Sequence, residues 1–259
     1  MNERTPESPK SNPASAGDFP SVRRPRIWEL DFLRGAAIIL MVLYHLGFDL
    51  TEFCGIRSLL GIRFNIFSRG IAAAQLVFAG VFIVLCGISS TLTRSNVRRA
   101  LKILAVAVAV TVVTYFFNAS SAIYFGILHC LGISILIYGL TLQKTGAVAS
   151  AAAGAFVLVL SVALSAVMKD VFVGFDWLMP FGITSGTFSS YDYFPLLPWF
   201  GVFLLGTALG KSVYARKRSV IAARLPETFI NAAGRHSLLI YIIHQPVIIG
   251  ILYVLGLMR

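Results

Sequence analysis

The chain has 259 residues, of which 57% are hydrophobic and only 13% are charged, with a formal net charge of +11. Soluble domains have about 25% charged residues, so this composition excludes an ordinary soluble fold and indicates a polytopic membrane protein. A positive charge is also typical of proteins that bind nucleic acid. Here, however, the basic residues lie between apolar spans, so we expect no nucleic-acid partner and interpret these charges as topology signals.

Residues 1–25 are rich in Ser, Pro, Asn and charge, and they lack the apolar core of a signal peptide. We predict a disordered cytoplasmic tail here and one transmembrane domain over residues 26–259. Cys54, Cys86 and Cys130 show no CxxC spacing, so they predict neither a disulfide framework nor a structural zinc site.

Apolar segments of about 20 residues are the length that crosses a bilayer as a helix. The fold predicted is therefore an all-α, polytopic transmembrane helical bundle of about seven spans. The expected spans cover residues 30–50, 70–92, 100–117, 122–142, 146–168, 196–213 and 237–257.

The distribution of Lys and Arg predicts the orientation of these spans. Sixteen of them lie in the N-terminal segment and in the second, fourth and sixth connections, whereas the other side has five. Because basic residues accumulate on the cytoplasmic side, the N-terminus is expected in the cytoplasm and the C-terminus outside.

The first span places its ionisable residues on one side of a helix. At 100° per residue, Asp31, Arg34, His45 and Asp49 fall within an arc of about 60°. Charged side chains at membrane depth are costly and usually face a bundle interior or a wet cavity, so this stripe is the leading candidate for a functional site.

His45 and Asp49 have the spacing of an oriented general base. His45 lies roughly 22 Å beyond the start of its span by helical rise, which places it in the outer half of the membrane. Asp49 follows at i+4, from where a carboxylate can fix the imidazole tautomer. The alternative is an interfacial histidine beside a solvated aspartate.

Arg34 lies about 16 Å from His45 by helical rise, towards the cytoplasmic face. A guanidinium at this position suits a phosphate-bearing ligand through bidentate contacts. It can equally form an ion pair with Asp31 at i−3 that lets the helix enter the bilayer, and the two roles are compatible.

Other histidines occur in the fourth and last spans. His129 lies in GILHCLG, and the motif GRHSLLIYIIHQP contains Arg235, His236, His244 and Gln245. A lone histidine in a helix is most often a packing residue, but several at comparable depth indicate a shared cavity. Gly206 and Gly210 are interpreted as close helix packing.

The connection over residues 169–194 is rich in aromatic residues, including Trp177 and Tyr191. The simpler interpretation is an aromatic belt at the membrane interface. The alternative is a lid that stacks on the faces of sugars.

Four ordered motifs resemble a known family. These are LDFLRGAAIILMVLYHLGFDL, FGILHCLGIS, DYFPLLPWFGVFLLG and GRHSLLIYIIHQP, and together they extend over nearly the whole chain after Arg26. They are similar to the bacterial branch of the heparan-alpha-glucosaminide N-acetyltransferase catalytic-domain family. The first motif also matches the Arg, ten residues, His pattern of broader transmembrane acyltransferases.

The resemblance implies a membrane enzyme that moves an acetyl group from cytosolic acetyl-CoA to an amine or hydroxyl of a sugar or glycan on the outer side. It implies a bacterial inner-membrane location, no metal, contact with the lipid bilayer, and allows a homodimer. Arg34 and His45 would correspond to the motif's essential pair. Other motif positions are occupied by Asp31, Asp49, His129, Trp199, Arg235, His244 and Gln245. Asp49 is expected to act with His45 in catalysis, and the others, together with Arg34 and His236, are expected to bind acyl-CoA or the substrate. The lysosomal relatives have more spans and an added lumenal domain, which leaves the acceptor open.

Two other functions are compatible with parts of the pattern. Histidines on three helices could supply the axial ligands of a haem in an electron-transfer protein. The charged stripe could line the pathway of a small-solute transporter.

Overall fold

The computed structural model of the protein describes residues 27–56, 58–59, 62–63, 65–169, 171–222 and 227–258. The predicted tail over residues 1–25 lies outside this part. The described residues form eight α-helices: α1 Trp28–Glu52, α2 Arg69–Leu92, α3 Asn96–Phe117, α4 Ile127–Leu140, α5 Ala147–Met168, α6 Leu196–Ser212, α7 Phe229–Arg235 and α8 Ser237–Val254. A short antiparallel hairpin, β1 Ser58–Leu59 and β2 Ile62–Arg63, follows α1.

This architecture confirms the predicted polytopic helical bundle. Among the described residues, α1, α2, α3, α5 and α8 are long and apolar enough to cross a membrane, and α4 and α6 are shorter apolar helices. These seven correspond to the seven expected spans. The orientation predicted from the basic residues stays a prediction.

The fourth span differs from its expected bounds, since α4 begins at Ile127 and not at residue 122. Asn118 accepts a hydrogen bond from the Ser120 amide at 3.0 Å and starts a 3₁₀ turn instead of a helix. The segment after that turn runs to Phe125, whose carbonyl accepts a hydrogen bond from the Phe194 amide at 3.0 Å. The segment is apolar, and for this reason it was included in the expected span. It is not helical because its backbone is hydrogen-bonded to another connection.

Helix α6 packs between α2 and α5, and glycines allow the close approach. A Cβ atom added to Gly206 would overlap the carbonyl oxygen of Val84 on α2, and one added to Gly210 would overlap Thr91. The interpretation of these two glycines as packing residues is therefore confirmed. Close contact is how membrane helices gain packing energy where burial from water contributes little.

Helices α1, α7 and α8 form a second group. A Cβ atom added to Gly35 of α1 would overlap the carbonyl of Ile230, and one added to Gly234 of α7 would overlap the carbonyl of Asp31. Backbone contact thus fixes α7 against α1. Helix α8 follows one residue after α7 and also contacts α1, so the last span runs beside the first.

The connection between α5 and α6 is an ordered segment bonded to the connection between α3 and α4. The Tyr191 amide donates to the Ser121 carbonyl at 2.9 Å, and the Ser190 hydroxyl donates to the Ala122 carbonyl at the same distance. These bonds, with the one from Phe194, fix the backbone on both sides of Asp192. Trp177 stacks on Phe175 with ring centroids 5.0 Å apart and stays 70% exposed.

Candidate functional site

A cleft with a cavity volume of about 70 Å³ lies between α1, α2, the start of α4, the α5–α6 connection and α8. Its walls are mainly apolar side chains, as is usual for small-molecule sites. Its polar groups are Tyr44, His45, Gln75, Asp192 and Tyr241. His45 lies seven residues before the end of α1, or about 10 Å by helical rise, towards the predicted outer face.

Beside this cleft, His45 of α1 contacts His244 of α8. Their ring centroids are 5.0 Å apart, with the ring planes inclined at 56°. His244 is buried, and its Nδ1 lies 2.7 Å from the carbonyl oxygen of Tyr241. A carbonyl only accepts hydrogen bonds, so we assign the proton of neutral His244 to Nδ1 and leave Nε2 as an acceptor. This Nε2 is buried and has no hydrogen-bond partner in the described part of the chain.

Asp49 is fully buried, but its carboxylate is hydrogen-bonded to a residue other than the His45 that the i+4 spacing predicted. Both carboxylate oxygens accept hydrogen bonds from Gln245 Nε2, at 2.9 and 2.8 Å. The hydrogen bonds of the described residues include none between Asp49 and His45. The expected partner of the histidine is thus replaced by His244, and Asp49 instead joins α1 to α8.

Asp192 joins three parts of the chain at the edge of the cleft. Its Oδ2 accepts hydrogen bonds from the Ile127 amide at the start of α4, at 2.9 Å, and from the Tyr241 hydroxyl of α8, at 3.1 Å. Burial raises the pKa of the Asp192 carboxyl above its ordinary value, and these two hydrogen bonds act in the opposite direction. The Tyr241 ring lies 5.7 Å from the His244 ring, so Asp192 connects through Tyr241 to the histidine pair.

The Arg34 guanidinium, near the start of α1, is held by two side chains. Its Nη1 bonds to Asp31 Oδ1 at 3.0 Å, and its Nη2 donates to the Ser89 hydroxyl of α2 at 2.6 Å. The ion pair expected at i−3 is therefore present. Arg34 shares one face of α1 with Ile38, Met41 and His45, all three of which line the cleft.

His129 and Trp199 do not line this cleft with His45. His129 Nδ1 accepts a hydrogen bond from the Gly126 amide at 3.3 Å and so caps the start of α4. It also lines a smaller hollow together with Asp192 and Tyr241. Trp199 packs on Phe194, with ring centroids 5.3 Å apart, and Phe194 forms part of the cleft wall.

Arg235 and His236 lie at the junction of α7 and α8, away from the cleft. Arg235 forms an ion pair with the exposed Glu227, and the His236 side chain is exposed. Within the described part of the chain, neither side chain forms a hydrogen bond, ion pair or ring contact with another candidate residue. The structure thus brings together His45 with His244, Asp49 with Gln245, and Arg34 with Asp31.

Four polar residues of the cleft were not predicted from the sequence: Asp192, Tyr241, Tyr44 and Gln75. Two signals were present: Asp192 begins the motif DYFPLLPW, and Tyr241 precedes His244 by three residues, which places both on one helix face. The spacing of Tyr44 and Gln75 in the sequence does not predict their position at the cleft, because that position depends on how α1 and α2 pack.

A family model described as heparan-alpha-glucosaminide N-acetyltransferase, catalytic, matches residues 26–246, which is most of the chain. The chain belongs to this family. Searches of curated proteins and of solved structures each found no match. The match spans all the elements around the cleft, from α1 to the first half of α8.

Membership of the heparan-alpha-glucosaminide N-acetyltransferase catalytic family, together with the apolar helices, makes the protein a multi-pass membrane acetyltransferase. The resemblance found in the four motifs is confirmed at the level of the family. His45 contributes an imidazole to the cleft, and imidazole is the side chain most often used for general acid–base catalysis.

Proposed function

We propose that the protein transfers an acetyl group from cytosolic acetyl-CoA to an amine or hydroxyl of a sugar or glycan on the outer side of a bacterial inner membrane. The observation that carries the proposal is the pair His45 and His244 beside a cleft in an acetyltransferase-family chain. The pair supplies a proton acceptor next to enclosed apolar space, where a thioester is shielded from hydrolysis.

The acetyl-CoA would enter from the cytoplasmic side along the face of α1 that carries Arg34. The Arg34 guanidinium is already oriented by Asp31 and Ser89, so its remaining N–H groups are available for a phosphate. The thioester arm then follows Ile38 and Met41 towards His45, which lies about 16 Å further along the helix.

The basic connection after α6 would hold further phosphates. Its position depends on Glu29, which is buried at the start of α1. Glu29 accepts hydrogen bonds from the Ser219 hydroxyl at 2.7 Å and the Val220 amide at 2.8 Å. These bonds place Arg216 to Arg218, directly before Ser219, near the same end of α1 as Arg34.

In the proposed reaction, His45 takes the proton from the acceptor nitrogen or oxygen as this atom attacks the thioester carbonyl. The carbon–sulfur bond then breaks, the acetyl group stays on the acceptor, and the thiolate of CoA takes the proton from the imidazolium. The Nε2 lone pair of His244 can accept an N–H of His45 and so orient it. A route through an acetyl-histidine would use the same residues, with His45 as the nucleophile.

The experiment that tests this function uses the purified full-length protein with acetyl-CoA and a panel of amino sugars. Free CoA thiol and acetylated sugar are measured together, and an Arg34→Ala variant is compared with the wild type. We expect equal amounts of both products, and a raised KM for acetyl-CoA in the variant. Substrate movement into liposomes without thiol release would contradict the proposal and favour a transporter.

Trapping distinguishes the two routes of transfer. The protein is incubated with labelled acetyl-CoA and no acceptor, and then analysed for label on His45. Label on His45 supports the acetyl-histidine, and its absence in an active preparation supports direct transfer.

A further inference from the structure

The Asp192 carboxylate is the one formally charged group among the described residues that line the cleft. The other polar groups there are two phenols, an imidazole and an amide, from Tyr44, Tyr241, His45 and Gln75. A carboxylate in an otherwise apolar cleft is costly unless it has partners. Its position therefore calls for an explanation beyond packing.

Among the described residues, only one of the two oxygens of this carboxylate forms hydrogen bonds. Oδ2 accepts from both the Ile127 amide and the Tyr241 hydroxyl, whereas Oδ1 has no hydrogen bond in the described part of the chain. Oδ1 is not fully buried either, so a ligand can reach it. The carboxylate is held rigidly by one oxygen and offers the other.

The fixing of Asp192 extends to its backbone. Tyr191 and Phe194 on either side of it donate hydrogen bonds to Ser121 and Phe125 of the neighbouring connection, at 2.9 and 3.0 Å. The Ile127 amide also lies at the N-terminus of α4, where the helix dipole favours a negative charge. A group held from both main chain and side chain is suited to precise positioning of a ligand.

From these observations, and resting on the proposed function, we propose that Asp192 binds the acceptor. Its Oδ1 accepts a hydrogen bond from an N–H or O–H group of the acceptor sugar while the reacting atom faces His45 across the same cleft. Tyr241 donates a hydrogen bond to Asp192 and contacts the His244 ring. It is therefore the positioning residue that fixes Asp192 relative to the histidine pair.

The kinetics of one variant, compared with the wild type, test the assignment. Asp192→Asn keeps the shape and an acceptor oxygen for Ile127 but removes the charge. With D-glucosamine as acceptor, we expect Asp192→Asn to raise the KM for the sugar about tenfold or more, because hydrogen bonds to charged groups are the strong ones. The KM for acetyl-CoA should change less than about twofold. An unchanged KM for the sugar would overturn the proposal.

Carbodiimide labelling of the wild type provides a readout that does not depend on activity. Dicyclohexylcarbodiimide adds to protonated carboxyl groups in apolar surroundings, and peptide mass spectrometry measures the rate at Asp192. We expect D-glucosamine to slow the labelling severalfold. An equal effect of D-glucose would assign the contact to hydroxyl groups, and no effect of D-glucose would assign it to the amine.

These two readouts separate failure of the inference from failure of the proposed function. Absence of thiol release with every sugar contradicts the proposed function, and protection from labelling would then still support an acceptor site at Asp192. Labelling that neither sugar slows overturns that site, even if transfer occurs.

Discussion

His45 and His244, from the first and last spans of the described bundle, lie with their ring centroids 5.0 Å apart. They are separated by 199 positions in the sequence, so the contact depends on α1 and α8 running side by side. With its Nδ1 proton directed to the Tyr241 carbonyl, His244 has an Nε2 that can accept a hydrogen bond and that has no partner among the described residues. In the proposed reaction, His45 is the base and His244 is the residue that orients it.

If the two histidines act as a unit, their substitutions should not be additive. We expect His244→Ala to lower kcat about tenfold or more with little change in either KM. The double variant His45→Ala/His244→Ala should be no less active than His45→Ala alone. His244→Gln should recover part of the activity, since its amide oxygen can accept the same hydrogen bond. Losses that multiply in the double variant would show that the residues act independently.

Asp49 and Gln245 should contribute to stability through their mutual hydrogen bonds. Gln245→Leu leaves a buried carboxylate without its donor and is expected to cost about 1–3 kcal/mol in the free energy of unfolding. Replacing both residues by Leu should cost less than this, because no polar group is then left unpaired. Thermal unfolding in detergent measures both. A double variant less stable than Gln245→Leu would refute this account of the pair.

Two glycines on α1 and α8 offer a matched test of helix packing. Gly35→Ala places a methyl group on the Ile230 carbonyl of α7, so we expect a large loss of folded protein. Gly250→Ala on α8 meets nothing within 4 Å and should stabilise its helix by about 0.5–1 kcal/mol. Size-exclusion chromatography and thermal unfolding report both effects. Equal behaviour of the two variants would argue against backbone contact between α1 and α7.

Glu29 should matter for acetyl-CoA because it fixes the basic connection after α6. In Glu29→Ala, Ser219 and Val220 lose their partner, and we expect the KM for acetyl-CoA to rise severalfold with kcat nearly unchanged. Glu52→Ala, at the opposite and exposed end of α1, is the control. A similar KM for acetyl-CoA in both variants would show that Glu29 does not contribute to the binding of acetyl-CoA.

The sequence predicts well those features that one helix determines alone. The apolar spans and the shared face of Arg34 and His45 follow from composition and from the helical period. The partner of Asp49 cannot be predicted in this way, because Gln245 is 196 positions away in the sequence. His45, at i−4, fitted the helical spacing and was therefore expected instead. Asp192 was missed for the same reason: its place depends on two connections that bond to each other.

The most direct test of the account compares His45→Ala with Leu43→Ala in one transfer assay. Leu43 lies on the same helix and is 57% exposed, so its variant should retain wild-type transfer of acetyl groups from acetyl-CoA to D-glucosamine. General-base assistance contributes about 10² to 10⁴ in rate, and we expect His45→Ala to lose activity on that scale while unfolding at the wild-type temperature. Transfer by a folded His45→Ala protein at the wild-type rate would contradict the central claim.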